Sequence, residues 1–354
     1  MNETGKTALV TGASSGIGRE LANLFAKDGY NLVLVARSGD TLQQVAEEFE
    51  RQYGIETTVI SKDLTQPNAA DEIYEQTSAQ GLQVDVLVNN AGVGEYGMFA
   101  NESDLQKELA IIQLNVKSLV HLTKLYLRDM MPRNEGKILM LGSIASVMPN
   151  PMMAVYAATK AFVYSFSEAL HNELKDTDIT VTVLMPPATD TDFFNKAGAT
   201  HTVAQEQARS MNPADVAQAG YDALMSGKDK VAAGLKTKVM AAASHFMPDQ
   251  MVTQNARNLM KSQEEANEEN KTSTLVLALG VTALVIGGIL LASSGRRNGR
   301  FRNINLNGNG WNAGRFNRKT RSVTDSVENA VDSVVDSLKG SYYNAKAAVE
   351  DALA

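Results

Sequence analysis

Short apolar runs alternate with amphipathic stretches along the first half of the chain. TALVTG (7–12), NLVLVAR (31–37), TTVISKDL (57–64), VDVLVNNAG (84–92), GKILMLGS (136–143) and ITVTVLMP (179–186) each read as a strand. Between them, helical spacing of apolar positions predicts helices over 17–29, 41–53, about 68–80, about 104–130 and about 154–175. Regular strand–helix alternation implies an α/β fold, a doubly wound parallel sheet with helices on both faces. The strands are continuously apolar, as strands covered on both sides are.

The pattern changes after residue 262. Residues 263–272 form an acidic linker containing Glu264, Glu265, Glu268 and Glu269. Leu275 to Ala292 is eighteen residues without a charge, about 27 Å of helix at the usual rise, so 273–293 is expected to be a single transmembrane helix. Gly280, Gly287 and Gly288 would let such a helix pack closely against another. Residues 294–321 are basic and rich in Asn, Gly and Arg, the composition of a disordered linker. Residues 322–354 carry a stripe from Val323 through Val327 and Val331 to Leu338, predicting an amphipathic helical tail. Residues 1–262 are thus expected to be one catalytic domain.

Composition narrows the chemistry. The formal charge of −7 argues against nucleic acid as a partner. With no cysteine and four scattered histidines, thiolate chemistry is excluded and no metal site is expected. The N-terminal text runs directly into the first strand, so no signal peptide is expected. The arginines at 296, 297, 300 and 302 follow the apolar segment, and the positive-inside rule would put that flank in the cytoplasm. A large domain made ahead of its only span would stay where it folded, which argues the other way. The catalytic domain is expected on the cytoplasmic side of a single-pass membrane protein, with lipid contacted by 273–293.

Three local patterns carry candidate chemistry. TGASSGIG (11–18) joins the first strand to the first helix with Gly12, Gly16 and Gly18. Such a loop is either a tight turn or a cradle where backbone approaches a pyrophosphate at a helix N-terminus. The second strand ends in VARS, placing Arg37 and Ser38 where an acid would accept from a ribose 2′-hydroxyl. A cation there pairs with a 2′-phosphate, which favours NADP(H) over NAD(H). Finally, Tyr156 and Lys160 share a helix face one turn apart in VYAATKAF. The pair fits two surface neighbours, or a phenol whose pKa a neighbouring ammonium lowers.

TGASSGIG, NNAG (89–92), LNV (114–116), GSIAS (142–146) and YAATK (156–160), in this order, resemble the classical short-chain dehydrogenase/reductases over roughly residues 5–235. The resemblance implies a Rossmann-type fold and a catalytic set of Asn115, Ser143, Tyr156 and Lys160. In it Tyr156 is the general acid, Lys160 lowers its pKa and binds the nicotinamide ribose, and Ser143 polarises the carbonyl. Asn115 is similar to an asparagine that holds a relay water at a helix distortion. The cofactor contacts it implies are Gly12, Ser14, Ser15, Gly16, Ile17, Gly18, Arg37, Ser38, Asp63, Leu64, Asn90, Ala91, Gly92, Tyr156, Lys160, Pro186, Thr189 and Thr191. Pro187 departs from the family's Pro-Gly and removes an N–H near the nicotinamide. Two hydroxyls facing a carbonyl make chemical sense in their own right, because hydride arrival develops oxyanion charge.

Ile144, Met148, Met152, Met153, Phe193 and Phe194 are the expected pocket wall, apolar and deformable. The same methionines would also suit a core or a subunit interface. The expected function is hydride transfer between NADP(H) and the carbonyl or secondary alcohol of a hydrophobic, lipid-, steroid- or acyl-like substrate. The alternatives are a catalytically silent nucleotide-binding scaffold and a 3-oxoacyl reductase of lipid synthesis. By the same resemblance the long helices at 104–130 and 154–175 pair subunits, implying a dimer or tetramer.

Overall fold

The structure, a computed structural model, describes residues 5–234, 237–238, 240–241 and 249–262. The expected linker 263–272, membrane span 273–293, basic linker 294–321 and tail 322–354 lie outside the described residues. No helix among the described residues is long and apolar enough to cross a membrane.

The strands are β1 (Thr7–Thr11), β2 (Asn31–Ala36), β3 (Thr57–Ser61), β4 (Val84–Asn89), β5 (Gly136–Leu141), β6 (Ile179–Met185) and β7 (Lys230–Ala232). They form one parallel sheet ordered β3-β2-β1-β4-β5-β6-β7. Successive residues face opposite layers, as strand geometry requires. Ala8 and Val10 join Leu32, Leu34, Val86 and Val88 on one face, packed by Phe25 of α1 (Gly16–Lys27) and Phe49 of α2 (Gly39–Tyr53). The same layer takes Val216 and Leu224 from α9 (Pro213–Met225).

Leu9, Val33 and Leu87 point the other way. They meet Ile73 of α3 (Ala69–Ala79), Leu122 and Met130 of α5 (Leu119–Arg133), and Val163 of α6 (Ala154–Glu173). Both cores are essentially dry, so the apolar strand runs find apolar partners on either side.

Several expectations change in detail. Each of the six expected strands ends earlier, because its last residues turn outward at the sheet's carboxyl edge: β4 stops at Asn89, for example, leaving Asn90 to Gly92 in a loop. The helix expected at 104–130 is α4 (Leu105–Ile112), a π-helical segment (Gln113–Ser118) and α5. Residues 193–212 hold the short helices α7 (Phe193–Lys196) and α8 (Val203–Ala208). Three elements were not foreseen: α9, β7 and α10 (Asp249–Met260).

Gly18 begins α1 so close to the neighbouring loop that an added Cβ would lie 2.4 Å from the Gly12 carbonyl oxygen and 2.3 Å from Asn90 Nδ2. Backbone cannot retreat from that contact. Gly18→Ala is therefore expected to cost about 1–3 kcal/mol of stability, seen as a lower urea midpoint at unchanged slope. An unchanged midpoint would mean the loop is looser than described.

Candidate active site

The sheet reverses its winding between β1 and β4, and a crevice opens beyond the carboxyl ends of the strands there. It forms a cavity of about 520 Å³ that runs from the Gly12 loop to α10.

One end is built for an anion held by backbone. Gly12 and Gly16 have φ of +67° and +57°, a conformation that glycine adopts without strain. Ser15 precedes α1 as its N-cap and its side chain makes no capping bond, so the hydroxyl is left for another partner. The first turn of α1 holds no acid that would compete with an anion there. Ser14, Ile17 and Gly18 line the same end, and Thr191 lays its methyl against Gly16. Asn90 Nδ2 donates to the carbonyls of Thr11 at 2.8 Å and Gly12 at 3.3 Å, so its amide ties the glycine loop to the end of β4. Ala91 and Gly92 continue the wall; a Cβ on Gly92 would approach Asn115 Oδ1 to 3.2 Å.

The outer corner carries Arg37 and Ser38, both exposed, with Asp63 and Leu64 beside them. Among the described residues the Arg37 guanidinium has no hydrogen bond or ion pair. Asp63 is turned into its own loop, where Oδ1 accepts from the Thr65 amide and hydroxyl. These features fit a phosphorylated dinucleotide: an open helix N-terminus, glycines against the backbone and a cation at the ribose corner.

The reactive groups converge farther along the cleft. Ser143 follows β5 and caps a single 3₁₀ turn, Ile144–Ser146. Its Oγ accepts from the Ala145 amide at 3.1 Å, while the Ser143 amide donates to Ser146 Oγ. That reciprocal capping fixes where the hydroxyl sits. Tyr156, in the first turn of α6, lines the cavity beside Ser143, whose hydroxyl is near enough to favour its phenolate. Phe193 packs against its ring at 5.0 Å.

Lys160 and Asn115 stand behind the wall and do not line the cavity. Lys160 is 4% exposed; its Nζ donates to the Leu141 carbonyl at 2.7 Å and lies 5.8 Å from the Tyr156 ring centre. Asn115 lies in the π-helical segment, the distortion expected at this position. Its Oδ1 accepts from the Val93 amide, and its Nδ2 donates to the Val93 carbonyl and Thr159 Oγ1. Thr159 in turn donates to the Tyr156 carbonyl at 2.7 Å. Asn115 therefore braces the Tyr156 turn of α6 with a carboxamide that has no donor left.

Burial works against the expected acidification. Without nucleotide the Tyr156 phenol is pushed up to about 12, because burial penalises the phenolate more than the nearby Ser143 hydroxyl stabilises it. The same burial pushes the Lys160 ammonium down to about 8, so near neutral pH it still carries its charge. At neutral pH the phenol accordingly carries its proton.

The far side of the cavity is apolar. Met153 and Phe194 are buried with Met260 of α10, and Met148 is buried with Val252 and Ala256 of the same helix. Ile144 and Phe193 also line this end. Met152 does not. It has φ of +66° and turns toward Tyr96, whose hydroxyl lies 3.7 Å from Met152 Sδ. Tyr96 also donates to the Met260 carbonyl at 2.9 Å, pinning the end of α10 over the pocket. Pro186, Pro187, Thr189 and Thr191 form the remaining edge, with Thr189 Oγ1 donating to the Pro187 carbonyl. The reading of the sequence missed α10 as a wall, although Val252, Ala256 and Met260 mark one helical face.

Comparison with known proteins places this architecture. The family model described as short chain dehydrogenase matches residues 6–202, more than half of the chain. The chain belongs to the short-chain dehydrogenase family. It is 41% identical over 189 residues to a very-long-chain 3-oxoacyl-CoA reductase of Anas platyrhynchos, covering 51% of this chain and 59% of that one. It is 35% identical over 211 residues to a 17-beta-hydroxysteroid dehydrogenase type 3 of Rattus norvegicus, covering 57% and 67%. The chain thus spans little more than half the length of the 3-oxoacyl-CoA reductase it matches. A short-chain dehydrogenase from Sphingobium yanoikuyae solved in complex with NADPH superposes with a TM-score of 0.62 at 28% identity, over 68% of this chain and 94% of that one.

In the protein without nucleotide, Tyr156 is expected to contribute no tyrosinate absorbance below about pH 11, since its pKa lies near 12. The difference between wild-type and Tyr156→Phe ultraviolet titrations isolates this residue. A difference titrating below pH 10 would show the ammonium outweighing burial.

Proposed function

We propose that this chain is an NADP(H)-dependent oxidoreductase that interconverts the carbonyl and secondary alcohol of a lipid-like substrate. The observation that carries the reading is the convergence of the Ser143 and Tyr156 hydroxyls, backed by buried Lys160, in a cleft whose other end is the glycine loop and Arg37. Gly12, Ser14, Ser15, Gly16, Ile17 and Gly18 hold the pyrophosphate, Asp63, Leu64, Asn90, Ala91 and Gly92 flank the adenosine, and Arg37 with Ser38 receives the 2′-phosphate. Pro186, Thr189 and Thr191 would border the nicotinamide, and Lys160, whose ammonium lies just behind Gly92 in the wall, would turn its remaining protons to the nicotinamide ribose. When bound, the nicotinamide supplies or accepts a hydride.

The protein's own part is proton and charge management. Ser143 donates a hydrogen bond to the substrate carbonyl, polarising it. Tyr156, protonated at neutral pH, gives its proton to the oxygen as negative charge develops there. Lys160 stabilises the phenolate that remains, and the Asn115–Thr159 brace keeps the Tyr156 turn in position. Phe193, Phe194, Met148 and Met153 exclude water from the carbonyl.

The apolar, methionine-rich wall favours a hydrophobic substrate, and the names of the two relatives, a very-long-chain 3-oxoacyl-CoA reductase and a 17-beta-hydroxysteroid dehydrogenase, support a 3-oxoacyl or steroid ketone. The uncharged stretch supports membrane attachment through 273–293, and the need for NADP(H) supports a catalytic domain facing the cytoplasm; both suit such substrates. Self-association is supported by an exposed apolar stripe on α4, where Leu105, Leu109 and Ile112 are 60%, 49% and 43% exposed.

Tyr156→Phe keeps the ring packing and removes the proton. It is expected to lower kcat about a hundredfold to ten-thousandfold while NADPH binding, followed by fluorescence, stays within about twofold. NADPH oxidation is assayed with long-chain 3-oxoacyl thioesters and 17-ketosteroids. Wild-type nucleotide binding without turnover of either class would instead favour a silent scaffold. Leu109→Glu is expected to shift the light-scattering mass of the wild-type oligomer toward the monomer; no change would remove α4 from the interface.

A further inference from the structure

The ribose corner holds a second cation that the glycine loop and VARS do not account for. Lys62 follows β3 directly and lines the cleft with Arg37 and Ser38. Ala36 and Ser61 are the last residues paired between β2 and β3, so Arg37 and Lys62 stand opposite one another just beyond the ladder. Neighbouring parallel strands lie about 4.8 Å apart. The two tips are stitched together: the Lys62 amide donates to the Ala36 carbonyl at 2.9 Å, and Ser61 Oγ donates to the Arg37 carbonyl at 3.0 Å. Gly39 makes room for this, since a Cβ there would lie 3.2 Å from Ser61 Oγ.

Charge at this corner is unbalanced. Lys62 is paired with Glu72 of α3, while Arg37 has no ion pair among the described residues. Asp63, the acid that follows Lys62, has an oxygen engaged by Thr65. A phosphate monoester carries a charge of about −1.5 to −2 at pH 7. One guanidinium neutralises only part of it.

We propose that Lys62 is a second determinant of NADP(H) selection, its ammonium moving from Glu72 to join Arg37 on the 2′-phosphate. The proposal rests on the NADP(H) reading above. Lys62 reaches the phosphate as a mobile point charge on a flexible stem, and Arg37 as a planar fork. Selection for the 2′-phosphate is then shared between the ends of β2 and β3, with Glu72 holding Lys62 at the corner until a stronger anion arrives.

Binding of 2′,5′-ADP and 5′-AMP to the full chain by calorimetry tests this without turnover. Wild type is expected to prefer 2′,5′-ADP. Lys62→Gln is expected to weaken 2′,5′-ADP about tenfold and leave 5′-AMP within about twofold, which also certifies the folded cleft. The preference of the wild type should fall steeply with added salt, and that of Lys62→Gln less steeply. Arg37→Gln serves as the reference. If wild type prefers 2′,5′-ADP and Arg37→Gln loses that preference but Lys62→Gln keeps it, Lys62 has no part and the cofactor reading survives. Equal weakening of both nucleotides in Lys62→Gln also overturns the proposal, assigning Lys62 to the loop's structure. A wild type indifferent to the 2′-phosphate removes the NADP(H) reading and this inference with it.

Discussion

The amide of Asn90 holds the working edge of this protein together. Its Nδ2 spans the Thr11 and Gly12 carbonyls, and Thr11 Oγ1 accepts from the Asn90 and Ala91 amides while donating to the Val88 carbonyl. These bonds lock the end of β1 to the end of β4, the place where the sheet changes winding direction. Both glycines that touch the amide, Gly12 and Gly18, lack a side chain that would displace it. The nucleotide loop is therefore held by buried polar bonds rather than by loop sequence alone, and buried polar groups are costly to unpair.

From that edge the remaining groups are placed in sequence. Gly92 and Val93 lead to Asn115, whose amide braces Thr159 and through it the turn that carries Tyr156. Leu141, at the end of β5, accepts from Lys160, and Ser143 follows two residues later on a capped turn. Each reactive side chain is thus tied to backbone that belongs to the sheet or is bonded to it. Burial sets the protonation of the pair: near neutral pH Tyr156 is held neutral, while Lys160, though lowered to about 8, keeps its charge. A neutral phenol is the form that reduction of a carbonyl consumes.

Much of this was legible in the chain. The strands announced themselves because both sheet faces are covered, so their apolar runs are uninterrupted; the glycine loop, Asn90 and Ser143 fall where those runs end, and Tyr156 and Lys160 at the start of the helix after β5. Other features left weaker marks. β7 is three residues long, too short for a periodic signal. The π-helical segment at 113–118 continues a helical pattern, and its altered hydrogen bonding has no compositional signature. The wall made by α10 depends on contacts between residues about a hundred positions apart, such as Met260 with Met153, which spacing along the chain does not reveal. Met152 and Met153 read alike in the sequence, yet a left-handed backbone at Met152 sends the two to different places. Burial, which pushes the Tyr156 phenol up to about 12 without nucleotide, belongs to the folded state and leaves no mark in the sequence.

The central claim is that this edge brings a carbonyl carbon to the nicotinamide while two hydroxyls hold its oxygen. Isotope transfer tests it most directly. Reduction of a long-chain 3-oxoacyl thioester or a 17-ketosteroid is run with NADPH deuterated on one or the other face of nicotinamide C4. The account predicts that one of the two labels appears on the carbinol carbon of the alcohol product. An alcohol that carries hydrogen from solvent at that carbon with both labels, or no alcohol from either substrate class, would contradict it.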